Sequence, residues 1–490
     1  MKRLKRSILP VLAFLLLFSC FEDADDNFST SGNVKDFVWR GLNAFYLYKD
    51  IQPDLADDRF SSNQDYTNFL ADYTSPEDLF DHLTVSEDRF SFLVNDYIAL
   101  EQYLSGTSVS NGMEYTLYRK PQNQAEVFGI VTYVLPNTDA DSKNITRGIM
   151  FDQVNGTPLY YNSATDNNLG ILNQTSYSIT IATLDDSSTP DIPDDDSVNT
   201  TTETIALSKA PYTENPIFKT EVIPTNSGNV GYLMYNGFTA DFDAQLNQAF
   251  ATFQSANVTD FVLDLRYNPG GSVNSAILLS SMITGQFTGD VFLTRQWNSQ
   301  IQDYLETEDP EALINRFTNQ FNGGSLNSLN LDKVYILTSE NTASASELVI
   351  NCLTPYINVV QVGDYTTGKY QASITLYDSP DFGRSGANPS HLYALQPLVF
   401  KSLNANGYTD YDNGLAPDIE VIENYRDFGV LGDVNEPLLA AALADIESGN
   451  RMIAPGFSKT NAPKKLGDSK QRSPLKNRMY VTDENLPIIK

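Results

Sequence analysis

Lys333-Val-Tyr-Ile-Leu-Thr338, then Ser339-Glu-Asn-Thr-Ala343, then Ser344-Ala-Ser-Glu-Leu-Val-Ile-Asn-Cys-Leu353, is the stretch whose reading decides the fold. Its first six residues hold the unbroken apolar run Val334 to Leu337, too short for a helix, as expected of a strand covered on both faces. The last ten read as a helix opened by Ser344, with Glu347 three residues on in capping-box position. The same strand, turn and helix order occurs upstream in Asp260-Phe-Val-Leu-Asp-Leu265, Asn268-Pro-Gly-Gly271 and Val273 to Ile283. Downstream, Asn358-Val-Val-Gln-Val362 leads into Thr366-Thr-Gly-Lys369. Alternation of this kind over 218–425 predicts an α/β layer, placed in a catalytic unit of residues 218–450.

Outward from this layer the pattern changes twice. Residues 34–104 set Val38, Leu42, Phe45 and Tyr46 at helical spacing, and Pro76-Glu-Asp-Leu-Phe80 opens another helix, which predicts a small N-terminal helical domain. From 105 to 212 short alternating runs take over, Tyr115–Tyr118, Val127–Tyr133 and Ser176–Ile181, and a period of two predicts a β domain. The strand Val127 to Leu135, followed by Gly148-Ile-Met-Phe-Asp-Gln-Val-Asn-Gly156, resembles a PDZ domain. Asp185 to Thr202, rich in Asp, Ser, Thr and Pro, reads as a solvated loop whose aspartates lack EF-hand spacing. Residues 451–490 are basic, polar and punctuated by Pro, so they read as a mostly disordered tail. No repeat of 20 to 50 residues is present, which excludes solenoids and propellers. The expected architecture is multidomain α+β.

The chain opens with Lys2, Arg3, Lys5 and Arg6 and an apolar run from Ile8 to Phe18 too short to span a bilayer, which predicts a signal peptide over residues 1–19. Leu17-Phe-Ser-Cys20 resembles the bacterial lipobox, which implies a diacylated Cys20 as membrane anchor and residues 20–33 as a linker; ordinary secretion with cleavage nearby is the other reading. The acidic run Glu22, Asp23, Asp25, Asp26 resembles the surface-export signal of Bacteroidetes lipoproteins. The expected location is therefore the cell envelope, anchored to the outer membrane on its periplasmic or surface face. The chain carries 32 basic and 62 acidic residues; loss of the four basic signal residues leaves 28 against 62, a net charge of about −34. Such a field repels nucleic acid, which is not an expected partner. Cys352, the other cysteine, reads as a buried helix residue without a disulfide partner.

In parallel α/β layers, reacting groups gather at the carboxyl ends of strands, where bare amides and helix N-termini share one crevice. Ser344, Lys369 and the glycines 270 and 271 all fall there. A serine hydroxyl needs a base to become a nucleophile, and the chain has two histidines, His82 in the helical block and His391 in a polar loop. Lys369 is the simpler base, but an ammonium with a free pKa near 10.4 is neutral in only about one molecule per few thousand at pH 7, so it must be desolvated. No Gly-x-Ser-x-Gly elbow, phosphate-binding loop or Cys/His cluster occurs, and no cofactor or metal is expected. Ser473-Pro-Leu-Lys476 fits a serine-x-x-lysine pattern without its partner motifs.

Ala343-Ser-Ala-Ser-Glu347, with Lys369 placed 25 residues after Ser344, and Asp264-Leu-Arg-Tyr-Asn-Pro-Gly-Gly271 together resemble the carboxyl-terminal processing (tail-specific) serine peptidases. The resemblance covers nearly the whole chain, because that family also sets a small helical domain and a PDZ-like domain before a crotonase-like catalytic core. It implies Ser344 as the acylated serine, Lys369 as base, and Ala345 with Gly270 or Gly271 as oxyanion donors, leaving Ser346 a bystander. It also implies unfolded or extended proteins and peptides as substrates. The chain departs from the family after the lysine: many members carry Gln four residues on, where this chain has Ser373, with Gln371 two residues on. What orients Lys369 is thereby left open. That departure motivates a second reading, a catalytically inactive envelope lipoprotein that binds peptides or other ligands. The bland readings are a helix cap at Ser344 and a plain turn at Asn-Pro-Gly-Gly.

Overall fold

The computed structural model describes residues 34–187, 189, 195–448, 464–470 and 478–482. Four short helices come first: α1 (Val34–Phe45), α2 (Asn63–Ala71), α3 (Pro76–Leu83) and α4 (Tyr97–Leu104). Local chemistry starts them, since Ser62, Ser75 and Asp96 each accept a backbone N–H of the first turn through the side chain. Helix α1 buries Phe37, Val38, Leu42 and Phe45 on one stripe, as the spacing predicts.

An antiparallel sheet follows, ordered β1 (Met113–Lys120), β2 (Asn123–Val134), β3 (Met150–Val154), β4 (Ser176–Asp185), β5 (Ser197–Ser208). Asn155 and Gly156, at φ 52° and 72°, make the tight turn after β3 that a two-residue hairpin loop requires. The loop expected over Asp185–Thr202 is shorter, because Ser197–Thr202 is already strand: its Val and Thr residues suit a half-exposed strand paired with β4.

The α/β layer contains β6 (Ile217–Pro224), β7 (Asn229–Tyr235), α5 (Asp243–Ser255), β8 (Val258–Asp264), β9 (Gly270–Ser272), α6 (Val273–Thr284), β10 (Val291–Trp297), β11 (Lys333–Thr338), α7 (Ala345–Leu353), β12 (Asn358–Gly363), β13 (Gln371–Ser373), β14 (Leu398–Leu403), β15 (Ile419–Glu420) and α8 (Pro437–Ser448). The main sheet runs β6-β7-β8-β11-β12-β15, parallel except for the β6–β7 pair. Strand alternation divides its side chains between two cores. Leu233, Phe261, Leu263, Val334 and Ile336 pack with α5, α6 and α7, whereas Val230, Met234, Val262, Tyr335 and Leu337 pack with α8. Each fully buried Val, Leu or Ile contributes roughly 1.5–3 kcal/mol, which is why the apolar runs were legible.

Two segments of the stretch expected to be a disordered tail are strands: β16 (Lys465–Asp468) and β17 (Arg478–Tyr480). Strand β16 adds antiparallel to β1, and β17 lies between β9 and β13 in a second sheet ordered β9-β17-β13-β14-β10. Leu466 packs on the β-domain core, and Met479 and Val481 join the main core, so a few apolar residues order parts of a polar stretch. Residues 449–463, 471–477 with Ser473 to Lys476, and 483–490 lie outside the described residues, as do residues 1–33 with Cys20.

Candidate active site

The carboxyl ends of β8, β11 and β12 are stitched together by backbone-directed bonds. Thr342 Oγ1 donates to Leu265 O at 2.9 Å, Ala343 N–H to Asn268 O at 3.1 Å, and Thr367 N–H to Thr342 O at 3.0 Å. The stitching holds Ser344, at the mouth of α7, in a backbone conformation of φ 66° and ψ −114°. L-residues avoid this region, at a cost of about 1–3 kcal/mol, and it persists only where the surroundings impose it. A sharp strand-to-helix turn of this kind is how hydrolases lift a nucleophile clear of its helix.

The expected capping box is present: Ser344 and Glu347 face each other across the first turn of α7, with Ser344 N–H donating to Glu347 Oε2 at 2.6 Å. The fully buried Ser344 Oγ nevertheless makes no hydrogen bond of ordinary distance and angle, and a buried hydroxyl left so costs about 1–3 kcal/mol.

Glu347 does more than the sequence suggested. Its carboxylate is fully buried and takes four donors: Thr366 Oγ1 at 2.6 Å and Gly368 N at 2.7 Å on Oε1, Ser344 N and Lys369 N at 2.6 and 2.9 Å on Oε2. One side chain thus ties the backbone of Ser344 to the backbone of Lys369. Burial pushes its pKa up to about 7, against the pull of those donors.

Lys369 is 2% exposed, and its Nζ lies 5.0 Å from the centre of the Phe90 ring. The N-terminal domain supplies that ring. Asp88 Oδ1 accepts the Phe90 and Ser91 N–H groups, and Arg89 donates to Gly368 O at 2.7 Å, fixing the loop against the lysine turn. Beyond the lysine, Gln371 donates to the Tyr48 hydroxyl at 3.1 Å, and the Ser373 hydroxyl lies 2.8 Å from Gln396 Oε1 and 3.1 Å from Met479 O.

The two glycines differ. Gly270 N–H donates to Asn268 Oδ1 at 2.9 Å. Gly271 sits at φ 144°, where a Cβ would come within 2.2 Å of Phe238 O, so no other residue fits. Ala345 opens α7, and its N–H is among those a helix leaves without an intrahelical partner. Ser346 Oγ, the bystander, donates to Asn268 O at 3.1 Å. Both histidines are engaged elsewhere, His82 with Asp54 at 2.8 Å and His391 with Asp378 at 3.1 Å. Cys352 is buried within α7, which pushes its thiol pKa up.

A cavity of about 410 Å³ opens between the β domain and this centre, lined by Met113, Tyr115 and Tyr177 on one side and Asn236, Thr239 and Pro269 on the other. Pro269 is the residue before the two glycines, so the cavity adjoins their turn.

Comparison with known proteins agrees with this arrangement. The family "Peptidase family S41" matches residues 229–421, and "Peptidase S41 N-terminal domain" matches residues 33–92. A CtpA-like serine protease of Staphylococcus epidermidis is 25% identical over 211 residues, 42% of this chain and 36% of that protein. A carboxyl-terminal-processing protease of Picosynechococcus is 24% identical over 235 residues, 44% of this chain and 50% of that protein. The chain thus spans between about a third and a half of these relatives' length. The crystal structure of a Bacteroides fragilis protein described as an S41 protease superposes with a TM-score of 0.64 at 27% identity, covering 84% of this chain and 97% of that one. The fold and the two matched regions place the chain in the S41 class of folds. The chain belongs to peptidase family S41.

Proposed function

We propose that this protein is a serine endopeptidase of the carboxyl-terminal processing type, working through Ser344 and Lys369. The observation that carries the reading is Ser344 itself: a strained backbone presents a buried hydroxyl that no neighbouring group uses. Ser344 Oγ attacks the scissile carbonyl and passes its proton to Lys369 Nζ; the ammonium returns it to the leaving amine, freeing the first product and an acyl ester on Ser344. Lys369 then takes a proton from water as that water attacks the ester, and the ammonium passes the proton to the departing Ser344 Oγ, releasing the second product as an acid and restoring both side chains. The Ala345 and Gly271 amides hold the oxyanion; Gly270, whose N–H is used inside its own turn, shapes that turn. Ser344 Oγ makes no hydrogen bond here, and its bond to Lys369 Nζ is expected to form only once substrate fills the site.

The substrate in this reading is an unfolded or extended protein or peptide end. It reaches the glycine turn through the cavity beside Pro269, guided by a PDZ-like β domain onto a crotonase-like catalytic core. Cys20 carries the lipid anchor that keeps the enzyme at the cell envelope, on the periplasmic or surface face of the outer membrane. The inactive-binder alternative gives no reason to retain strain at Ser344.

The test is digestion of an unstructured protein by residues 21–490 beside Ser344→Ala and Lys369→Ala forms. Cleavage by wild type and at least a thousandfold loss in both variants is expected. Cleavage by the Ser344→Ala protein at the wild-type rate would return the centre to a structural role.

A further inference from the structure

The segment Arg478-Met-Tyr-Val-Thr482 lies between the glycine strand and the strand that follows Lys369. Strand β17 runs parallel to β9, pairing Gly270 with Arg478, Gly271 with Met479 and Ser272 with Tyr480. On its other edge Ser373 pairs with Tyr480, and Val481 N–H donates to Ser373 O at 3.1 Å. One flank therefore carries the oxyanion glycines, and the other begins two residues after Lys369. Met479, Tyr480 and Val481 are all buried there, with Met479 Sδ 3.5 Å from Ser402 Oγ.

Strand alternation shows what this occupancy does to the centre. Phe238 N–H donates to Gly270 O at 3.0 Å and Ser272 N–H to Phe238 O at 2.8 Å, so one edge of β9 faces Phe238. The intervening Gly271 amide then faces the opposite edge, toward β17. An amide paired with that segment is not free to hold an oxyanion. Ser344 and Ala345 are completely buried at the same time. Upstream, β16 of the same stretch covers the edge of the β-domain sheet at β1. Backbone pairing on two edges with apolar side chains in pockets is the physics of peptide recognition by strand addition.

We infer that the slot between Gly270–Ser272 and Gln371–Ser373 is the strand-receiving subsite of the enzyme, and that the chain's own Arg478–Val481 occupies it in cis as a displaceable, substrate-like competitor. The inference rests on Ser344 being the nucleophile. The occupant it selects is an extended segment parallel to β9, with an unbranched apolar side chain at the Met479 position. A tethered strand of this kind acts at an effective concentration on the order of millimolar, so free peptides enter only by outcompeting it.

The test uses the full chain carrying Ser344→Ala, with and without Met479→Asp, and a fluorescent peptide Arg-Met-Tyr-Val-Thr read by anisotropy. The inference predicts saturable binding at least tenfold tighter to the Met479→Asp form. It also predicts that the same peptide with Asp in place of Met fails to bind. With Ser344 intact, Met479→Asp should speed labelling by a serine-directed phosphonate at least tenfold. Melting curves accompany each protein, and Met479→Ala serves as a milder variant should Asp unfold the chain. Equal binding by both tails in folded proteins overturns the inference. So does unfolding of both Met479 variants, because the segment is then a fixed stave of the sheet. Tail-dependent peptide binding without Ser344 labelling in any form upholds the slot and rejects the nucleophile.

Discussion

Glu347 accepts from the backbone of Ser344 and of Lys369 through the same oxygen, so the protonation state of one buried carboxyl bears on both residues of the proposed dyad. Its four donors suit the ionised form, which predominates only above about pH 7. Activity is therefore expected to fall as pH drops through about 7, and Glu347→Gln is expected to flatten that limb while lowering kcat/KM at least tenfold through lost positioning. Stability should move the other way. The folded pKa lies above the ordinary 4.5, so the contribution of this group is present below 4.5 and lost as pH rises through about 7. Thermal melting across pH 4 to 8 checks the sign, and a midpoint that ignores Glu347→Gln would contradict it. The positions of Ser344 and Lys369 just after strand ends were legible because the apolar runs before them mark those strands. The three bonds to Glu347 from Thr366, Gly368 and Lys369 were not, because the sequence shows its capping partner three residues away but not a loop that comes back 19 to 22 residues later.

At the scale of elements, two backbone positions carry the strain of the site. Ser344 at φ 66° lies where glycine is at ease. Ser344→Gly should therefore be inactive yet more stable than Ser344→Ala by about 1 kcal/mol, read as a rise in melting temperature. Gly271→Ala should do the reverse, since the new Cβ meets Phe238 backbone at 2.2 Å; a loss of 100-fold or more in kcat is expected even in the fraction that stays folded. An active, fully stable Gly271→Ala protein would remove that amide from the mechanism. The strands and helices of the α/β layer were readable because apolar runs and helical periods match what they bury. Strands β16 and β17 were not, because their four and three residues lie in polar, Pro-containing sequence and are ordered only by partners more than 100 residues away.

At the scale of the molecule, the β domain is latched to the α/β layer by a buried charge network. Arg147, from the loop before β3, donates to Glu423 Oε1 at 2.8 Å, to the Tyr267 hydroxyl at 2.7 Å and to Phe428 O at 3.0 Å. Arg266 makes a bidentate pair with Glu436, holds Asp264 and reaches Glu423 at 3.4 Å. Burial alone would raise the Glu423 pKa, but Arg147 and Arg266 outweigh it and hold it at about 2. The latch is therefore intact above pH 4.5 and is lost as pH falls from there toward 2. Removing one partner of a buried pair costs about 3–5 kcal/mol, so Arg147→Ala should open the stretch between the end of β5 at Ser208 and the start of β6 at Ile217 to limited proteolysis at neutral pH. An unchanged digestion pattern would mean that the domains hold together by apolar contact alone. The order of helices, antiparallel sheet and α/β layer was legible from the changes of hydrophobic period at about 105 and 218, whereas this latch joins residues from three separate stretches that no local pattern connects.

The measurement that bears most directly on the central claim is mass spectrometry of residues 21–490 after exposure to a serine-directed phosphonate. The account predicts one adduct, on the peptide containing Ser344, absent from Ser344→Ala and strongly reduced in Lys369→Ala. An adduct on another serine, or none at Ser344 while the protein cleaves an unstructured substrate, would contradict it.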